Sequence, residues 1–123
     1  MLNLSTESLS SLPQAKRTEL EQLVEVAKYR WSLHARPSQL IPGGDWTTWL
    51  IKAGRGWGKT RVAAETIRTW KETNPIIHFI GATSADVRDV MVEGISGILN
   101  VSPPWDKPKY ESSKRRVVWK NGA

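Results

Sequence analysis

The 123-residue sequence contains no cysteine. That excludes a disulfide framework and any zinc site built on thiolates, and it suits a cytoplasmic protein. It also lacks a run of about 18 apolar residues, so no helical membrane span is expected. The opening stretch MLNLSTESLSSLPQ is polar and has no apolar signal core. What the chain has in excess is positive charge, with 18 Lys and Arg against 12 Asp and Glu and a pI near 9.9. That balance fits a polyanionic partner or simply a basic surface. Seven tryptophans are many for this length, and most are expected to serve packing.

Residues 1–12 are Ser-rich and are expected to fray. Pro13 suits the first turn of a helix, and Leu20, Leu23, Val24, Ala27 and Trp31 recur at helical spacing from residue 16 to about 33. Residues 13–34 therefore read as one amphipathic helix, packed on the following domain or against another subunit. The stretch HARPSQLIPGGDW, residues 34–46, has two prolines and a Gly-Gly pair and reads as a loop. Arg36 and Gln39 are its polar handles. Gln39 could read an adenine edge, because its amide offers both a donor and an acceptor; a solvated loop is the plainer alternative.

Residues 47–52 read as a strand with Trp49 and Ile51 on one face and Leu50 on the other. Then come Ala53, Gly54, Arg55, Gly56, Trp57, Gly58, Lys59 and Thr60, followed by a helix-like segment to about residue 72 with Ala63, Ile67 and Trp70 as its buried stripe. Strand, glycine-rich turn and Gly-Lys-Thr opening a helix is the arrangement of a phosphate-binding loop, although the usual first glycine is Ala53 here. Glycines let successive N–H groups turn toward phosphate oxygens, and the helix N-terminus adds free donors and a positive dipole end. Lys59 would reach the β- and γ-phosphates of ATP, and the Thr60 hydroxyl would hold Mg²⁺.

Asn74-Pro75 ends that helix, and IIHFIGA, residues 76–82, is an apolar run suited to a strand buried on both faces. The order gives a βαβ unit with a right-handed crossover. His78 in this run is expected to be packed and hydrogen-bonded. Thr83 or Ser84 caps a further helix with Val87, Val90, Met91 and Ile98 on its buried face, and a Pro-rich loop follows. Residues 117–119 form a strand, after which Asn121-Gly122 signals a hairpin turn. The fold class is thus α/β: a P-loop NTPase-type parallel sheet with flanking helices, incomplete, preceded by an N-terminal amphipathic helix. The domain reading is 1–12 as a flexible N-terminus, 13–34 as the helix, and 35–123 as the N-terminal portion of a P-loop ATPase domain. No apolar run ending in Asp follows the loop, so the carboxylates that orient Mg²⁺ and activate water are expected in a longer protein.

Three blocks, WTTWLIKAGRGWGKTRVAAETIR, IGATSADVRDVMVEG and PPWDKPKYESSKRRVVWKNGA, together resemble the large subunit of tailed-phage terminases over roughly residues 31–123. The resemblance implies an ATP-driven motor that packages double-stranded DNA into a procapsid in the host cytoplasm. It also implies a homo-oligomeric ring on the portal protein, a terminase small subunit as partner, and a separate nuclease domain. Arg55, four residues before Lys59, matches the terminase version of the loop and would act as an arginine finger in cis. ARPSQLIP resembles the family's adenine-binding segment, which brings Arg36 and Gln39 into the expected nucleotide site. The alternatives are a remnant that at most binds nucleotide without turnover, or another P-loop protein such as a helicase or small-molecule kinase. The Lys114, Arg115 and Arg116 cluster would touch DNA or solubilise a strand end.

Overall fold

A computed structural model describes residues 10–123; the expectation for the first residues lies mostly outside that range. The chain forms two compact units, Met1–His34 and Ala35–Ala123.

In the first unit, helix α1 spans Gln14–Lys28, with Pro13 at its cap position. It stops short of the expected end near residue 33. Tyr29 departs to φ −101°, ψ 4°, and its N–H bonds three residues back to Val26 O. A separate 3₁₀ turn, Trp31–Leu33, follows. The His34 ring Nε2 donates to Ala27 O at 3.1 Å, a second bond to a carbonyl that already accepts from Arg30 N. Leu23, Val24 and Val26 on α1 are exposed.

The second unit is mixed: helices and one two-stranded antiparallel sheet. Helix α2 spans Lys59–Trp70. Helix α3 begins at Ser84–Asp86, where the Thr83 hydroxyl caps it by accepting from Asp86 N, and continues as a π-helical segment, Val87–Val92. Helix α4 is Ile98–Val101. Strands β1, Lys109–Glu111, and β2, Arg116–Val118, pair with Glu111 opposite Arg116. The Arg116 guanidinium beside Glu111 holds that carboxyl below the usual range, with burial opposing and Lys114 and Lys109 assisting. The core gathers Ala64 and Ile67 from α2, Val92, Ile98 and Val101, and Trp119, with Ile77, Phe79 and Val117 packed against them.

Several expectations change here. Residues 47–52 and 76–82 carry no ladder among the described residues, so the parallel sheet is not formed; a strand exists only where a neighbour completes its N–H and C=O groups. The second run is not buried on both faces. Ile77 and Phe79 pack on the core, whereas Ile76, His78 and Ile80 are exposed, an alternation of period two that leaves one face uncovered. His78 is therefore on the open side rather than packed. In 47–52 the expected facing holds, with Trp49 and Ile51 partly covered and Leu50 exposed.

On α2 the buried side is Val62, Ala64, Glu65, Thr66 and Ile67, while Ala63 is exposed and Trp70 only half-buried. On α3 the wider π turn brings Val92 into register with Val87, five residues on, and turns Val90 outward. Helix α3 also ends before Ile98, which opens α4 instead. A Cβ on Gly97 would stand 2.6 Å from Val92 O, so this close approach admits only glycine. The Asn-Gly signal makes a tight turn, with Gly122 N donating to Trp119 O and Trp119 N to Ala123 O, but β2 pairs with the segment before it.

A candidate phosphate-binding loop

The chain leading into the loop is fixed by tryptophans. Trp46 meets Trp49 edge-on at 6.2 Å and lies 6.4 Å from Trp70 at the far end of α2, while its indole N–H donates to Pro42 O. The stretch 53–60 then turns into α2 through two left-handed glycines, Gly56 at φ 79° and Gly58 at φ 99°. Gly58 is the cap residue of α2, and its carbonyl accepts the first helical bond from Val62 N at 2.9 Å. Only a glycine adopts that φ without a steric cost.

Lys59 opens α2 and its ammonium folds back over the loop, donating to Ala53 O and Gly54 O, each at 2.8 Å. Two neutral carbonyls are modest partners for an ammonium; anionic phosphate oxygens would form stronger, charge-assisted bonds. Thr60 is half-buried at the same helix end, and Arg55 is exposed and in no ion pair among the described residues. The donors suit a phosphate: a lysine ammonium, a second cation, and helix N–H groups carrying the positive end of a dipole. Among the described residues no cluster of three or more His, Cys, Asp or Glu could hold a metal. Mg²⁺ would fit here only in the manner usual for that ion, through one protein oxygen, Thr60, with phosphates and water supplying the rest.

Residues 34–46 reach the loop as well. Arg36 and Gln39 bracket a 3₁₀ turn, Pro37–Gln39, in which Gln39 N donates to Arg36 O and Arg36 N donates back to Gln39 Oε1 at 2.9 Å. From that turn Gln39 Nε2 donates to Trp57 O at 2.9 Å and Arg36 Nη2 donates to the same oxygen at 2.6 Å. The Arg36 guanidinium lies 5.6 Å from the centre of the Trp57 ring. Arg36 and Gln39 are thus brought onto the Trp57 end of the loop, with Gln39 buried there, and Lys59 onto Ala53 and Gly54 at its start, whereas Arg55 is exposed.

The stretch 50–123 matches the family model of the terminase large subunit, T4-like-virus type, N-terminal region. The chain belongs to this family. Loop, α2, α3 and hairpin all lie within the matched stretch of this terminase chain; Arg36 and Gln39 precede it. No curated protein and no solved structure matches. Membership supports a role in phage DNA packaging. No helix among the described residues is long and apolar enough to cross a membrane.

Two groups escaped the sequence reading. Glu65 is buried on α2, held by Arg61 Nη2 at 2.7 Å and Arg68 Nη1 at 2.6 Å, and Arg68 Nη1 also donates to Val101 O. Lys71 is buried just beyond α2, paired with Glu72 at 2.5 Å and Asp106 at 3.1 Å and 5.9 Å from the Trp119 ring centre. Burial pulls the Lys71 pKa down, but the hydrogen bonds and charges of Glu72 and Asp106 outweigh it and hold it above the ordinary lysine value. Spacing Arg61–Glu65–Arg68, i to i+4 to i+7, was a readable signal for the first group. A groove of about 900 Å³ lies between residues 75–85 and the hairpin and includes none of residues 53–60.

Proposed function

We propose that residues 53–60 bind the phosphates of MgATP and that this chain is the ATP-binding part of a terminase large subunit. The observation that carries the reading is the Lys59 ammonium, folded back onto Ala53 O and Gly54 O at the start of α2, where Gly58 offers no side-chain cap. On binding, Lys59 would exchange those carbonyls for phosphate oxygens, the N–H groups of the first turn of α2 would cradle the phosphates, and Thr60 would provide the hydroxyl toward Mg²⁺. Arg55 would contact the transferring phosphoryl group during hydrolysis. In the same reading, residues 47–52 and 76–82, unpaired among the described residues, would be strands of the parallel sheet of a P-loop fold. The whole motor would work in the host cytoplasm on double-stranded DNA, as a ring with the portal protein and the small subunit.

Calorimetric titration with MgATP tests the site. The chain and its Arg55→Ala variant should bind alike, and Lys59→Ala should weaken binding at least tenfold. Equal affinity of the Lys59→Ala variant would refute the phosphate-site reading.

A further inference from the structure

We propose that Gln39 and Arg36 are positioning residues that hold the phosphate loop in its curled form, acting through the Trp57 carbonyl rather than by reading a base. The inference rests on the phosphate-site reading of residues 53–60.

The Gln39 amide is engaged at both ends. Its oxygen accepts from Arg36 N and its nitrogen donates to Trp57 O. The assignment of the two ends is forced by chemistry, since a backbone N–H needs an acceptor and a carbonyl needs a donor. Reading a base edge would require the amide to leave one or both partners. Leaving is costly because the side chain is buried, 7% exposed, and a buried amide without partners loses more than it gains from a replacement bond.

The Trp57 carbonyl takes a second bond from Arg36, so both of its lone pairs are used. In a trans peptide the N–H points opposite the C=O. Pinning Trp57 O toward Arg36 and Gln39 therefore directs the Gly58 N–H away from them. The pin sits immediately before the left-handed Gly58, where a peptide flip would be easiest. The turn that supplies the pin is itself rigid: Pro37 fixes one φ, and the two reciprocal Arg36–Gln39 bonds close it. Lys59 ties Ala53 O and Gly54 O on the other side of the loop. Three carbonyls of the loop are thus held by side chains of three residues, and the neutral, buried Gln39 has the least reason to let go when phosphate arrives.

The test uses the full chain and two readouts. The first is the Gly58 amide resonance without ligand, since that N–H shares a peptide plane with Trp57 O. It should move in Gln39→Ala and Arg36→Ala, while amides of the core residues Ile98 and Val101 stay in place and confirm folding. The second is affinity for magnesium pyrophosphate, MgATP and MgGTP. Gln39→Ala should weaken all three by the same factor, about five- to tenfold for the loss of one buried hydrogen bond. Weakened MgATP with unchanged pyrophosphate binding and an unmoved Gly58 amide would make Gln39 a base reader and overturn the proposal. An unmoved Gly58 amide with all affinities unchanged would overturn it too. Failure of the unaltered chain to bind pyrophosphate would refute the phosphate site, and the Gly58 amide would still decide whether Gln39 and Arg36 hold the loop.

Discussion

Replacing Glu65 by alanine should destabilise the second unit more than any surface change, for reasons that can be worked through group by group. The Glu65 side chain is 1% exposed, and its two oxygens are divided between two guanidinium groups, Oε1 to Arg61 and Oε2 to Arg68. Removing the carboxylate leaves both cations without their shared partner. Breaking a fully buried pair costs about 3–5 kcal/mol. Here Arg61 is a third exposed and can turn to water, so its share falls to the small value of a surface pair. Arg68 is 16% exposed and has little access to water in place of the carboxylate, so most of the penalty falls on it. Alanine returns a few tenths of a kcal/mol in helix propensity. The expected loss is about 2–3 kcal/mol.

Urea unfolding followed by tryptophan fluorescence reads this directly. With a slope of about 1.5–2 kcal/mol per molar for a chain of this size, the midpoint should fall by about 1–2 M with the slope unchanged. Glu65→Leu should lose nearly as much, because an apolar group likewise takes the carboxylate away from Arg68. Glu65→Leu with Arg68→Leu should recover much of the loss, giving a coupling of about 1–2 kcal/mol in the double-mutant cycle. A midpoint within about 0.3 M of the unaltered chain, or strict additivity in the cycle, would show that the triad is not a buried electrostatic unit.

Two further outcomes follow from the same geometry. Gly58→Ala should cost about 1–2 kcal/mol because φ 99° is strained for alanine and its Cβ would stand 3.0 Å from Gln39 Nε2; Gly54→Ala, whose Cβ meets nothing within 4 Å, should be close to neutral, and equal urea midpoints for the two would refute the strain argument. Lys71 has a raised folded pKa, so its contribution is fully present below the unfolded value of about 10.4 and is lost as pH rises through the higher folded value; the stability gap between the unaltered chain and Lys71→Met should therefore narrow above about pH 10.5, and a gap constant from pH 8 to 11 would refute it.

The parts of this fold that were legible in the sequence are those whose chemistry is local. The loop, its glycines, the start of α2 at Lys59 and the tight turn at Asn121-Gly122 depend on residues within a few positions of one another, and each lies where residue type places it. The length of α1 was overestimated because the apolar spacing continues past Lys28 into Trp31, while the backbone has already changed to a 3₁₀ turn. The buried side of α3 was misjudged because a helical wheel assumes 3.6 residues per turn, and the π winding from Val87 adds one. Glu65 and Lys71 were not singled out, since burial of a charge depends on what packs over it.

The strand expectations at 47–52 and 76–82, unlike that at 117–119, failed for a different reason, and the difference bears on the site. A helix satisfies its own backbone, whereas a strand is defined by a neighbour. Residues 76–82 keep the side-chain alternation of a strand, Ile77 and Phe79 inward and Ile76, His78 and Ile80 outward, yet no ladder completes them. The loop at residues 53–60 is nevertheless curled. Its shape comes from the left-handed Gly56 and Gly58, from Lys59 on two carbonyls, and from Arg36 and Gln39 on a third. None of these ties runs through a sheet. A loop supported by a preceding turn and by its own lysine can hold its curl before any strand pairs, so the curl of residues 53–60 and sheet completion are separable properties of this chain, and the proposed phosphate binding should follow the former. Binding should then survive changes at the exposed Ile76 and Ile80 that would alter strand pairing, and should be lost through Lys59 or loosened through Gln39.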